Sequence, residues 1–114
     1  MLTIAIEPRE DVVIVRLAGE LAMGSAARLR EAAAPLHRDE RPLVIEASEL
    51  AFVDSTGIAE LCALAASRGR PIGVLAPQHV VRNVLTLLDL AVLLPEIEGI
   101  DEETIARLRA PLGR

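Results

Sequence analysis

Two adjacent hydroxyl side chains, Ser55 and Thr56, follow the carboxylate of Asp54 in the stretch FVDSTGI, residues 52–58. Apolar runs flank this stretch on both sides, and the second run has helical spacing. We therefore expect the three polar residues to lie where a loop enters a helix. Asp, Ser and Thr are favoured there as caps, because the first backbone N–H groups of a helix have no partner within it.

A phosphorylation site is a second interpretation of the same residues. A cap needs only one side chain, and the unpaired N–H groups of a helix start would also hold a phosphoryl group carried by a hydroxyl. Gly57 lowers the helix propensity of the first turn, which indicates that something approaches the backbone closely there. The residues alone leave the cap and the phosphate acceptor both open, and they do not choose between the two hydroxyls.

The elements that position this stretch alternate between strands and helices. Strands are predicted at residues 2–6, 11–18, 42–46, 71–75 and 92–94, and helices at residues 26–37, 58–68, 78–88 and 101–108. Such alternation implies right-handed crossovers between parallel strands. We predict a single α/β domain over residues 1–114, with a mixed, mostly parallel sheet of about five strands, the first one antiparallel, packed with about four helices.

Three loops are expected at the carboxyl ends of the strands, at residues 19–25, 47–55 and 76–78. In an open α/β sheet these loops gather at one edge, where such folds usually place their sites. Glu20, Ser25 and Gln78 are therefore expected around Asp54 and Ser55, as part of the same surface.

The composition excludes several classes of function. The net charge of −5 comes from 17 acids and 12 bases, and Phe52 is the only aromatic residue. Nucleic-acid binding requires basic patches and stacking surfaces, so we do not expect it here. No run of about 20 apolar residues and no signal-peptide pattern is present, and we expect a cytoplasmic protein without membrane insertion.

Catalysis is not indicated by the remaining reactive side chains. Cys62 falls in an apolar helical pattern and is expected to be a small buried residue. His37 and His79 are far apart and do not single out a base for Ser55, and the Gly-x-Ser-x-Gly pattern of serine hydrolases is missing. With no recognisable ligand set and no Gly-rich phosphate loop, we expect no metal, no bound cofactor and no enzyme activity.

The order of motifs along nearly the whole chain resembles the STAS domain family, and within it the bacterial anti-sigma factor antagonists. VVIVRLAGEL, residues 12–21, is similar to the family's second strand and its Gly-Glu-Leu. PLVIEASELAFVDSTGIAEL, residues 42–61, resembles the central strand, the loop and the Asp-Ser-(Ser/Thr)-Gly motif. GRPIGVLAPQHVVRNVLTLLDLAVLLP, residues 69–95, resembles the next strand, a helix with a Val-Arg pattern and the last strand.

The resemblance implies a partner switch. In the family, the unphosphorylated antagonist binds an anti-sigma factor, a serine kinase that holds its own ATP, and so releases a sigma factor. Phosphorylation of the serine directly after the motif's Asp weakens that binding, and a separate serine phosphatase restores it. By motif position the acceptor is Ser55, flanked by Asp54 and by Thr56 as a secondary candidate, with Gly57 keeping the helix start accessible.

Two residues depart from the family's pattern. Ala22 stands where related antagonists commonly carry an Asp close to the phosphorylated serine, and Glu46 stands where Asp or Asn is more usual. Ala22 motivates an alternative function, a STAS subunit without a phosphorylation cycle that docks on a transporter ATPase or on another multi-protein complex. The sequence also leaves open whether the protein forms a homodimer.

Overall fold

A five-stranded sheet organises the computed structural model, which describes residues 1–113. The strands, in their order across the sheet, are β1 (Leu2–Pro8), β2 (Val13–Leu21), β3 (Leu43–Val53), β4 (Gly73–Leu75) and β5 (Glu96–Ile97). The helices are α1 (Ala26–Ala33), α2 (Ser55–Arg68), α3 (His79–Leu87) and α4 (Glu102–Leu108). β1 is antiparallel to β2 and the other pairs are parallel, which confirms the predicted mixed α/β fold.

The core lies mainly between one face of the sheet and the helices α1, α2 and α3. Along β2 the side chains alternate between faces, so that Val13, Val15 and Leu17 join this core. Ile14 points to the other face, where it belongs to a smaller cluster with Leu108 of α4. Within the described residues, no helix is long and apolar enough to cross a membrane.

The predicted end of the third strand at residue 46 is wrong, because β3 continues to Val53. Its buried residues in the second half, Ala47, Leu50 and Val53, are three positions apart, whereas a regular strand buries every second residue. The pairing of β2 with β3 contains two irregularities, which shift the register and change that spacing. β2 is extended in the same way, to Leu21 instead of residue 18.

The predicted last strand at residues 92–94 is also wrong, since β5 is Glu96–Ile97. The N–H of Leu94 donates to the carbonyl of Leu90 at 2.8 Å, so this segment forms a helical turn instead. Val92 is 74% exposed there, and pairing with β4 begins only after the turn. The apolar run at residues 92–94 therefore has the composition of a strand without its geometry.

The first helix is shorter than predicted. α1 ends at Ala33, and residues 34–38 form a 3₁₀ turn that contains Pro35 near its start. Because proline has no N–H, it cannot donate the next bond of an α-helix. The remaining elements begin and end within three residues of their predicted bounds.

Candidate functional site

Asp54 caps the start of α2. Its backbone is extended, and its Oδ1 accepts a hydrogen bond from the N–H of Gly57 at 2.9 Å. The cap interpretation is therefore confirmed, and the carboxylate fulfils it without either hydroxyl. Ser55 is the first residue of the helix, its side chain is exposed, and its hydroxyl makes no hydrogen bond to residues 1–113.

The same carboxylate connects α2 with the loop that follows β2. Oδ2 of Asp54 accepts from the N–H of Met23 at 3.0 Å, and the N–H of Asp54 donates to the carbonyl of Leu21 at 3.2 Å. The hydrogen bond from the Gly57 N–H is the main cause that lowers the pKa of Asp54, and the bond from Met23 adds to it against partial desolvation. Asp54 therefore holds a full negative charge beside Ser55 at neutral pH.

Ser25 closes the turn at residues 22–25 that carries Met23. Its hydroxyl accepts from the N–H of Ala22 at 3.0 Å and donates to the carbonyl of Glu20 at 2.7 Å. The structure thus brings Ser25 and Glu20 to the loop that Asp54 holds. The Glu20 side chain is exposed at the end of β2, where its backbone lies opposite Phe52 of β3.

Gly57 is buried against the end of β2. A Cβ at this position would lie 2.3 Å from the carbonyl oxygen of Leu21 and 2.9 Å from the Cγ of the same residue. The close approach that a glycine indicated in the sequence is therefore made by β2. The missing side chain of Gly57 lets the first turn of α2 lie directly on β2, the strand that carries Glu20.

Gln78 contacts a different part of the edge. Its Nε2 donates to the carbonyl of Ser48 at 2.8 Å, six residues before Asp54 on β3. β4 pairs with β3 only as far as Glu46, so the loop after β4 lies against the middle of the longer β3. The structure shows no hydrogen bond between Gln78 and the start of α2 among the residues it describes.

Two exposed apolar side chains border this site, and sequence reasoning missed both. Met23 is 79% exposed on the loop held by Asp54, and Phe52 is 45% exposed two residues before Asp54. The Met23 N–H binds Asp54 and Phe52 lies two residues before Asp54 in β3, so both belong to the surroundings of the cap. Contiguous exposed apolar surface often marks a site that binds another protein. The available signal was that the only aromatic residue of the chain directly precedes the polar motif.

Because residue 22 is alanine, the turn at residues 22–25 carries no carboxylate. The Ala22 side chain is half-buried, next to the backbone N–H that binds Asp54. Asp54 directly precedes Ser55, and the exposed Glu20 lies opposite Phe52, three residues before Ser55.

The histidines do not form a catalytic arrangement with Ser55. The Nδ1 of His37 contacts the hydroxyl of Ser67, near the opposite end of α2, and His79 begins α3. Burial raises the pKa of the Cys62 thiol, which is half-buried in the middle of α2. In the part of the chain that the structure describes, no group of three or more His, Cys, Asp or Glu side chains could hold a metal ion.

Comparisons with known proteins identify relatives of this fold. A family model described as Mlab, STAS domain, matches residues 4–95. An anti-sigma factor antagonist from Mycobacterium paratuberculosis is 26% identical, with a TM-score of 0.79 over 96% of either chain. No curated protein matches the sequence.

The anti-sigma factor antagonist SpoIIAA is similar in fold in two states. Its unphosphorylated form is 22% identical, with a TM-score of 0.71 over 94% of this chain and 96% of that one. The phosphorylated form, from Bacillus, is 20% identical, with a TM-score of 0.67 over 92% and 98% of the two chains.

Proposed function

This chain belongs to the STAS domain family, and we propose that it acts as an anti-sigma factor antagonist that is switched by phosphorylation of Ser55. In the unphosphorylated state it binds an anti-sigma factor serine/threonine kinase, which contributes the ATP, and a sigma factor is released. Phosphorylation abolishes this binding, and a serine phosphatase restores it. The protein itself is a binding partner and not an enzyme.

The observation that carries the proposal is the division of roles at the start of α2. Asp54 fulfils the cap through Gly57, which leaves the Ser55 hydroxyl exposed and without a hydrogen bond to the described residues. A kinase needs an accessible hydroxyl, and Ser55 offers one. Thr56 is half-buried, which supports its place as the secondary candidate.

Electrostatics supports the direction of the switch. A phosphoryl group adds about −1.5 to −2 charges at pH 7. This charge would stand beside the ionised Asp54 and near Glu20, on a surface bordered by the apolar Met23 and Phe52. A partner that fits the uncharged hydroxyl would then face an unpaired, desolvated charge, which costs a few kcal/mol and more than a hundredfold in affinity.

A docking subunit without a phosphorylation cycle is the second candidate function. It is favoured by Ala22, since the loop beside Asp54 lacks the carboxylate that related antagonists commonly place near the acceptor. The partner would then be a transporter ATPase or another multi-protein complex, bound through the same surface around Ser55.

Phosphate mapping tests the proposal directly. The protein is incubated with its cognate anti-sigma factor kinase and ATP, and the modified residue is identified by mass spectrometry in the parent, in Ser55→Ala and in Thr56→Ala. We expect one phosphate on Ser55 in the parent and in Thr56→Ala, and none in Ser55→Ala. An unmodified parent, recovered from cell extract with an ATPase and without a kinase, would establish the docking subunit instead.

A further inference from the structure

β1 is a long, open edge of the sheet. It has seven residues, whereas the opposite edge, β5, has two. Glu20 donates its N–H to the carbonyl of Met1, so Met1 and every second residue after it bond to β2. In an antiparallel ladder the residues between them direct both backbone groups away from the partner strand. The outward residues of β1 are therefore Leu2, Ile4, Ile6 and Pro8.

Only the two ends of this edge are protected. The carbonyl of Leu2 accepts a hydrogen bond from the guanidinium of Arg28, and Pro8 has no N–H to offer. No hydrogen bond from residues 1–113 reaches the outward N–H and C=O groups of Ile4 and Ile6. The Ile6 side chain is 39% exposed, and that of Ile4 is half-buried. An edge of this kind is a template for another strand.

We propose that a second copy of this chain covers the edge, with the two β1 strands antiparallel and Ala5 on the two-fold axis. Ile4 of each copy then lies opposite Ile6 of the other, and each such pair exchanges two N–H···O bonds. The N–H of Leu2 donates to the carbonyl of Pro8 in the second copy. Pro8 has no N–H to donate in return to the Leu2 carbonyl of the second copy, but this carbonyl already accepts a hydrogen bond from Arg28.

Neighbouring registers satisfy fewer groups. Centring the pair on Ile4 would place Leu2 opposite Ile6, whose N–H would compete with Arg28 for the Leu2 carbonyl. Centring it on Ile6 would place Ile4 opposite Pro8, and the Ile4 carbonyl would find no donor. The register centred on Ala5 uses every outward group of the strand. It also puts a small side chain where two identical residues meet on the axis.

The occupant is a second copy because the strand complements itself. The Ile4–Ile6 pairs place apolar side chains together on the helix side of the sheet, and Thr3 lies opposite Glu7 on the other side. Pairing of β1 with β1 of a second copy gives a closed, two-fold symmetric dimer. A single strand pair is a small contact beside the roughly 1,200 Å² that stable complexes bury, so we expect a weak dimer that dissociates on dilution.

Sedimentation equilibrium of the full chain tests the dimer. We expect the average mass to rise from 12.2 kDa towards twice that value as the concentration is raised from about 10 μM to about 1 mM. Ile6→Lys should remain monomeric, because a charged side chain blocks an edge. The matched control, Val80→Lys, changes a residue on α3 that is 51% exposed and should dimerise like the parent. A parent that stays monomeric at the highest concentration, or an Ile6→Lys variant that dimerises equally well, overturns the proposal.

A cysteine on the axis tests the register independently of stability. In a Cys62→Ser background, which has no other thiol, Ala5→Cys should form an intermolecular disulfide under mild oxidation. Facing residues of a non-hydrogen-bonded pair are close enough for this bond. Thr3→Cys, which would face Glu7 of the second copy, should remain reduced under the same conditions. Equal cross-linking of both variants, or none of Ala5→Cys, contradicts the register.

Discussion

The carboxylate of Asp54 accepts a hydrogen bond from the backbone N–H of Met23 at 3.0 Å, which fixes the loop after β2 to the start of α2. The two residues are 31 positions apart in the sequence. One oxygen of Asp54 thus caps the helix and the other holds the loop. Ser55, the proposed phosphate acceptor, directly follows Asp54 in the sequence, so its surroundings depend on both contacts.

Removal of this carboxylate should destabilise the protein more than removal of an ordinary helix cap. Asp101 is a suitable comparison, because it caps α4 through the N–H of Thr104 at 2.8 Å and makes no hydrogen bond to a distant loop among residues 1–113. We expect Asp54→Ala to lower the free energy of unfolding by more than Asp101→Ala, since it also leaves the Met23 N–H without its acceptor. Urea unfolding measures both. Equal losses would mean that the loop contact adds no stability.

A methyl group at Gly57 should be costly although alanine is the better helix former. Its Cβ would lie 2.3 Å from the Leu21 carbonyl oxygen, so α2 must move away from β2. We expect Gly57→Ala to reduce the free energy of unfolding by about 2–4 kcal/mol. Gly24→Ala is the control, because a Cβ there meets no atom of the described part of the chain within 4 Å, and it should be nearly neutral. A neutral Gly57→Ala would show that the contact relaxes easily.

Stability should fall in acid as the carboxylates with lowered pKa values are protonated. Asp39 has a pKa of about 2, below the ordinary 3.8, chiefly because of the hydrogen bond from the Arg41 side chain. A carboxyl group whose pKa is lower in the folded than in the unfolded state stabilises the folded state at pH values above its unfolded pKa. This contribution is lost as the pH falls from about 4 to about 2. Asp39→Asn should flatten the dependence of unfolding free energy on pH in that window. An unchanged slope would contradict the role of the Arg41 contact.

The apolar side chains beside Ser55 should contribute to partner affinity without supporting the fold. Phe52→Ser and Met23→Ser should each weaken binding to the anti-sigma factor kinase by about tenfold or more, as anchors in an interface do. Leu87→Ser, at an 82% exposed residue on α3, is the matched control and should bind like the parent. Isothermal titration calorimetry measures all three. Equal affinities throughout would place the interface elsewhere.

The sequence was sufficient to predict a helix cap among Asp54, Ser55 and Thr56 and the alternation of strands and helices, because both depend on local chemistry. It did not show which of the three residues is the cap, and the structure assigns it to Asp54. It was not sufficient for the second half of β3, where Ala47, Leu50 and Val53 follow the irregular pairing with β2. The contact between Met23 and Asp54 depends on that same register, so no local sequence pattern predicts it. Gln78 was expected beside Ser55 from topology alone, and the length of β3 places its hydrogen bond at Ser48 instead.

The most direct test of the central claim is the affinity of the anti-sigma factor kinase for this protein with and without phosphate on Ser55. Both forms are titrated against the same kinase preparation by isothermal titration calorimetry. We predict that the unphosphorylated protein binds and that the phosphorylated protein binds at least about a hundredfold more weakly. Equal affinity of the two forms would contradict the switch.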